Sequence, residues 1–299
     1  MINRSHLKEF TLYLKLERAL SGNSVDAYVN DVGKLLQFME LTNPDWRINQ
    51  IDLPTLQTFV TWLNDLTMLP NTQARVISGI KAYFNFLMIE NIIEKDPTEF
   101  LEAPKTSRKL PDVLNVQEIN LLLSSIDLSQ PQGLRNKAIV EVLYGCGLRV
   151  SELVSLKISN LHMDAAYIIV VGKGNKQRLV PIGTVALKSI ADYLSEVRSK
   201  LKIKAGEEDY IFLNRFGARL SRISVFTMIK ALAESCDLKK LISPHSFRHA
   251  FASHLIEGGA YLRAVQAMLG HVSITTTEIY THVDKEYLQG VVKHYHPRS

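Results

Sequence analysis

Tyr167-Ile168-Ile169-Val170-Val171-Gly172-Lys173-Gly174-Asn175-Lys176-Gln177-Arg178-Leu179-Val180-Pro181-Ile182 is the stretch that sets this 299-residue chain apart from a purely helical protein. Tyr167 to Val171 is a run of β-branched and aromatic residues, which crowd a helix but fit a pleated strand. Gly172-Lys173-Gly174-Asn175 reads as a turn, and Arg178 to Ile182 returns as a second strand. The surroundings are helical. Residues 116–124 and 134–144 carry apolar side chains at helical spacing, and Gly145-Cys146-Gly147 makes a flexible turn after the second run. This part of the chain is therefore read as mixed α+β, mostly helix around one hairpin.

The first third reads as helices throughout. Residues 6–20 place Leu7, Phe10, Leu14 and Leu16 at helical spacing before Ser21-Gly22-Asn23 breaks the pattern. A second helix is expected from a cap near Ser24 to about Leu41, ended by Asn43-Pro44. Asp52 before Pro54 is a cap with proline in the first turn, opening a third helix to about Leu66. Leu69-Pro70-Asn71 reads as a turn, and a fourth helix follows over residues 72–89. Four helices with short connections suggest a small bundle. Pro104 and Pro111 flank Lys105-Thr106-Ser107-Arg108-Lys109, which is polar, basic and too short for a core element. The expected organisation is a helical domain over 1–103, a linker over 104–112 and a second domain over 113–299.

Composition narrows the function classes. Hydrophobic residues make up 46% and charged residues 22%, as in a folded globular chain. No apolar run approaches the roughly 18 residues needed to cross a bilayer. Residues 1–10 carry neither an apolar core segment nor a small-residue cleavage site, so no signal peptide is expected. Cys146 and Cys236 form no spacing motif, which fits a reducing cytoplasm and argues against a disulfide scaffold or a Cys-based zinc site. The net charge of +5 is unevenly spread. Residues 1–104 hold 9 basic and 13 acidic side chains, a net −4, while the remainder holds 26 and 17, a net +9. The second domain is the expected anchor for a polyanion.

Four segments carry groups suited to phosphate chemistry. In Gly147-Leu148-Arg149-Val150-Ser151-Glu152-Leu153, Arg149 follows a glycine turn near a helix start and Glu152 lies three residues on. On a helix the two share a face, so Glu152 can hold the guanidinium, a planar fork that donates two hydrogen bonds to a phosphate. The plainer reading is a surface ion pair. Lys173 sits at the hairpin tip between glycines that let the backbone approach a ligand, although the spacing is not that of a Walker loop. In Ser243-Pro244-His245-Ser246-Phe247-Arg248-His249, Ser243 caps a helix that begins at Pro244. His245 and Arg248 then share one face of its first turn, where free N–H groups and the helix dipole favour an anion. His245, His249 and His254 also raise a metal reading, but no acid or Cys completes a ligand pattern. In the fourth segment His271 follows Leu269-Gly270, Ser273 can cap a short helix, and Tyr280 lies nine residues after His271. Any one tyrosine of eleven is ordinarily a packing residue.

Taken together, Arg149, Lys173, His245, Arg248, His271 and Tyr280 form a coherent set for phosphoryl transfer without a metal. Arg and His neutralise charge on the phosphate oxygens, Lys protonates a leaving alkoxide, and Tyr attacks phosphorus. A tyrosine of pKa about 10 must lose its proton during attack, which gives a neighbouring imidazole such as His245 a role as general base.

In these motifs the chain resembles the tyrosine recombinase (phage integrase) family, and within it the Xer-type bacterial chromosome-dimer recombinases. The family's R…K…H-x-x-R…H…Y signature falls on Arg149, Lys173, His245-Ser246-Phe247-Arg248, His271 and Tyr280. Tyr144 to Leu153, Gly172 to Lys176, Ile279-Tyr280-Thr281-His282-Val283 and the ending His294-Tyr295-His296-Pro297-Arg298 resemble the same subfamily. The resemblance implies a SAM-like core-binding domain followed by the catalytic domain, closing as a clamp on double-stranded DNA. It implies a 3′-phosphotyrosine at Tyr280, a Holliday junction, and strand exchange with neither ATP, metal nor other cofactor. It implies a homo- or hetero-tetramer on two sites, with a paralogous recombinase and a DNA-translocase activator as further partners, serving chromosome partition at cell division. Tyr287, Leu288, Val291 and Val292 make an apolar stripe on a terminal helix with nothing after it to cover it, and the resemblance implies that this tail docks on a neighbouring protomer.

Three other readings stand beside this one. A mobile-element integrase would share the signature. A type IB topoisomerase-like enzyme would share the nucleophile chemistry. A helix-turn-helix repressor would explain residues 247–269 around Gly258-Gly259, but not Arg149, Lys173 or Tyr280.

Overall fold

The computed structural model describes residues 4–43, 45–104, 113–172, 176–270 and 283–299. The chain divides into two compact units, Met1–Leu110 and Pro111–Ser299.

The first unit is built on α1 (Arg4–Leu16), α2 (Gly22–Thr42), α3 (Leu53–Asp65) and α4 (Pro70–Ile89). Phe10, Leu14, Val32, Leu35, Phe59, Phe84 and Leu87 are fully buried between them. Each such side chain contributes about 1.5–3 kcal/mol of apolar burial. The Asp52 carboxylate accepts from the Thr55 N–H at 3.0 Å and so caps α3. Three boundaries differ from the sequence reading, and the first is α2, which opens at Gly22 behind Ser21 rather than at a cap near Ser24. Helix α1 stops at Leu16 rather than Leu20, and Ala19 takes a left-handed φ of +46°. Helix α4 begins at Pro70, read above as part of a turn, because proline at the first helical position loses no hydrogen bond and fixes φ for the helix.

The second unit holds α5 (Val116–Ser124), α6 (Pro131–Cys146) and the single-turn α7 (Val150–Val154). A three-stranded antiparallel sheet follows, β1 (Leu161–His162), β2 (Tyr167–Val171) and β3 (Gln177–Pro181), in the order β1-β2-β3. After it come α8 (Thr184–Glu196), α9 (Arg222–Ser235), α10 (Pro244–Glu257), α11 (Leu262–Leu269) and α12 (Val283–Tyr295). Helix α6 is the axis of this unit, buried without a break from Ala138 to Cys146. It packs between α8 and α10. It ends on Gly147, whose φ of +58° is left-handed. A Cβ there would stand 2.4 Å from Phe251 Cδ1 of α10, so glycine is required for both conformation and space.

Helix α12 departs from expectation. Its stripe residues Leu288, Val291 and Val292 are buried in the core of the chain's own second unit, beside α10, α11 and β3, while Tyr287 stays half exposed. The element expected to cover the stripe was a neighbour; here α10 and β3 of the same chain cover it. Two residues beyond the helix lock the tail. His296 lies with its ring centroid 4.6 Å from Tyr144 and 5.4 Å from Phe251. The Arg298 guanidinium donates to both oxygens of buried Glu141 and to Asn120 Oδ1.

Candidate active site

The site is assembled where α6 turns into α7. Gly147 reverses the chain and Leu148 is buried, so Arg149 emerges as the residue before α7. Its backbone N–H donates to Glu152 Oε2 at 2.8 Å, and its Nη1 donates to Glu152 Oε1 at 2.9 Å. Glu152 therefore caps its helix and grips the Arg149 side chain at once. The Arg149 side chain is 42% exposed, and Glu152 is 3% exposed. The pair is thus half in solvent, with the cation on the open side.

Two further guanidiniums converge on the same carboxylate. Arg178 of β3 donates from Nη1 to Oε1 at 2.7 Å and from Nη2 to Oε2 at 2.9 Å. Its Nε donates to the Met268 carbonyl of α11 at 2.8 Å. Arg248 of α10 lies 3.9 Å from Glu152 Oε2. It donates to the Gly147 carbonyl at 2.8 Å and the Leu269 carbonyl at 2.6 Å, with its side chain 5% exposed. Burial would by itself push the Glu152 carboxyl up. The bonds from Arg178, and then from Arg149, outweigh it and hold the carboxyl below its ordinary range. Burial, and next the charge of Arg149, push Arg248 down to about 10, so it remains a cation at neutral pH.

Three guanidiniums around one carboxylate leave an excess of two positive charges in a partly desolvated pocket. Such an excess is costly unless an anion joins it. All three are anchored by carbonyls or by the carboxylate, so an arriving phosphate would meet donors already fixed in place.

His245 stands one turn before Arg248 on α10. The backbone N–H of Ser243 donates to Ser246 Oγ at 3.1 Å, closing the start of that helix around Pro244. The His245 ring meets His249 edge-on, with centroids 4.4 Å apart. Lost solvation, and then the charge of His249, Arg248 and Arg149, hold His245 below its ordinary value. It is therefore neutral at pH 7 and able to accept a proton. His254, on the same helix, is turned the other way and bonds Tyr144 Oη through Nδ1 at 2.7 Å.

The structure thus brings together Arg149, Glu152, His245 and Arg248 of the sequence-derived set. Lys173, His271 and Tyr280 lie outside the described residues. Arg178 was missed by the sequence reading, though a signal was present. It shares one face of β3 with buried Val180, two residues on, and pairs across the sheet with buried Val170. A charged residue on the apolar face of a strand calls for a buried partner.

Three guanidiniums held on one buried carboxylate, in a mixed α+β unit that follows a helical bundle, make a cationic cluster suited to an enzyme that acts on a phosphodiester. The chain belongs to the phage integrase family: the family matches residues 112–287, and its N-terminal SAM-like domain matches residues 7–91. Among curated relatives, the tyrosine recombinase XerD of Listeria monocytogenes serovar 1/2a is 40% identical over 293 residues, covering 98% of this chain and 99% of that protein. A crystal structure of the XerA recombinase is 28% identical, with a TM-score of 0.51 and 99% of each chain covered. The XerH site-specific recombinase, bound to palindromic difH substrate in a post-cleavage complex, shares the fold with a TM-score of 0.72 at 22% identity, covering 96% of this chain and 84% of that one.

The protein is accordingly a tyrosine recombinase, a DNA strand-exchange enzyme, and the repressor reading falls away. The helices that suggested it are structural as well. Helix α10 buries Phe247, Ala250, Phe251 and Leu255, and α11 buries Ala264, Val265, Met268 and Leu269.

Proposed function

We propose that this protein resolves chromosome dimers, by exchanging strands between two copies of a specific DNA site through a 3′-phosphotyrosine at Tyr280. The observation that carries the reading is the cluster of Arg149, Arg178 and Arg248 on the single carboxylate of Glu152, with neutral His245 beside it. Arg149 and Arg248, with His271, would bind the non-bridging oxygens of the scissile phosphate. His245 takes the phenolic proton as Tyr280 Oη attacks phosphorus. The bond to the 5′ oxygen breaks, and Lys173 gives that oxygen its proton. In the second step the 5′ hydroxyl of the partner duplex attacks the phosphotyrosine and the proton returns to Tyr280, so the number of phosphoester bonds is unchanged.

The assembly in this reading is four protomers on two duplexes, of this chain alone or with a paralogous recombinase, with a DNA translocase as activator. The XerD name of the relative supports the housekeeping role over that of a mobile element. No helix among the described residues is long and apolar enough to cross a membrane. The reading places the enzyme with the chromosome in the cytoplasm.

Two labelled duplexes of different length, each carrying the chromosomal dimer-resolution sequence, test the proposal. Recombinant duplexes of new length are expected. Relaxation of supercoiled plasmid without joined products would instead make the protein a relaxing enzyme, because only strand exchange joins ends from two sites.

A further inference from the structure

Arg178 is a residue that neither the motif signature nor the proposed chemistry uses, yet it bonds α7 and the end of α11 and borders the hairpin turn. We propose that Arg178 is the positioning residue of the active site: it fixes Glu152, and through Glu152 the phosphate-binding Arg149, while seating the two glycines that precede Lys173 and His271. The inference rests on the recombinase reading above.

The geometry is that of a strut. One edge of the guanidinium takes both oxygens of Glu152, at 2.7 and 2.9 Å. The remaining Nε bonds the Met268 carbonyl at the end of α11, at 2.8 Å. Gly270, whose left-handed φ of +67° ends α11, lies so close that a Cβ there would stand 3.1 Å from Arg178 Nη1. Gly172, where the hairpin turn opens, lies on the other side. A Cβ there would be 3.7 Å from Arg178 Nη1 and 4.0 Å from Glu152 Oε1. One planar group is therefore in register with α7, the hairpin and the end of α11. Those are the place where Arg149 sits and the two places where the chain passes on to Lys173 and His271.

The electrostatics point the same way. Glu152 faces Arg149 from its own helix, Arg178 from β3 and Arg248 from α10, and the buried Cys146 thiol also feels Arg178. Of these, Arg178 does most to keep the Glu152 carboxyl ionised against its burial. An ionised Glu152 accepts from both the backbone and the side chain of Arg149, whereas a protonated one must give up one of those roles. Lysine at this position would supply charge but not three bonds in one plane.

The test uses the full chain and a nicked duplex carrying the chromosomal dimer-resolution sequence. Single-turnover adduct formation, duplex affinity and melting temperature are measured for wild type, Arg178→Lys, Arg178→Met, Glu152→Gln and the double variant Arg178→Met/Glu152→Gln. Misplacing a donor by about an ångström costs roughly a hundredfold in rate, so Arg178→Met is expected to slow cleavage by about 10- to 100-fold with affinity nearly unchanged. The acid limb of its pH–rate profile should move to higher pH, because Glu152 then titrates more easily. Arg178→Lys should be slowed while keeping the wild-type profile. The double variant should be no slower than the slower single one, since both act through the same carboxylate. Cleavage by Arg178→Met within about twofold of wild type would overturn the proposal, as would losses that multiply in the double variant. If wild type itself forms no adduct, the recombinase reading is what fails.

Discussion

At the scale of single residues, the site separates charge from solvent exposure. Arg248 is the most sequestered of the three guanidiniums and spends two donors on backbone carbonyls, those of Gly147 and Leu269. A lysine there would have one nitrogen to reach two carbonyls from different segments as well as the phosphate. Arg248→Lys should therefore lose about 3–4 kcal/mol of transition-state stabilisation, roughly a hundredfold to a thousandfold in single-turnover cleavage. A rate within about twofold of wild type would remove Arg248 from the chemistry. Arg149, Glu152, His245 and Arg248 were legible in the sequence because each lies within five residues of Gly147 or Ser243, which mark helix starts. Arg178 was not, because its partner lies 26 residues away and the pairing depends on which face of β3 turns inward. Tyr144, His254 and His296 escaped for the same reason: the first bond among them spans 110 residues.

At the scale of elements, the C-terminal tail is the one with a titratable anchor. His296 is packed against Tyr144 and Phe251, and its backbone neighbour Arg298 donates its N–H to His296 Nδ1 at 3.2 Å. Burial first, and then His254, push the imidazole down to about 4. His254 is lowered as well, again by burial first. A depressed folded-state value means that the unfolded chain binds the proton more readily. The stability contributed by neutral His296 is complete above about 6.5 and is lost as pH falls through that value toward about 4. The shift corresponds to about 3 kcal/mol. Melting temperature should fall between pH 7 and pH 4.5 by more in wild type than in His296→Phe, which keeps a ring in the pocket without the charge. Parallel curves for the two proteins would show that His296 does not anchor the tail.

The elements themselves were unequally legible. Helices α3 and α5 carry capping side chains, Asp52 and Asn115, and α1 to α5 present one-sided apolar faces. Helix α8 turns Ala186 and Ser189 inward beside Ile190 and Tyr193, so half of its buried positions are small or polar. Helix α9 exposes Ile223 and Phe226 while burying Val225, Ile229 and Ala233, which hides its inner face in the pattern. Strand β1 has two residues, too few for alternation. The cover over the α12 stripe depends on tertiary packing that spacing alone does not carry.

At the scale of the whole molecule, the two compact units divide the charge: residues 1–110 carry a net −1 and residues 111–299 a net +6. The basic second unit is the one that holds the arginine cluster. Each phosphate contact releases condensed counterions, so duplex affinity should fall steeply with salt. That dependence would be shared by any DNA-binding protein, whereas a covalent bond to DNA would not. The decisive measurement is a denaturing gel of the protein incubated with a nicked duplex carrying the chromosomal dimer-resolution sequence, labelled on the strand that keeps the 3′ phosphate. Wild type is expected to give a protein–DNA band that survives detergent and disappears on protease treatment, and Tyr280→Phe to bind the duplex without that band. A surviving band in Tyr280→Phe, or none in wild type on a duplex it binds, would contradict the assignment of Tyr280 as the nucleophile.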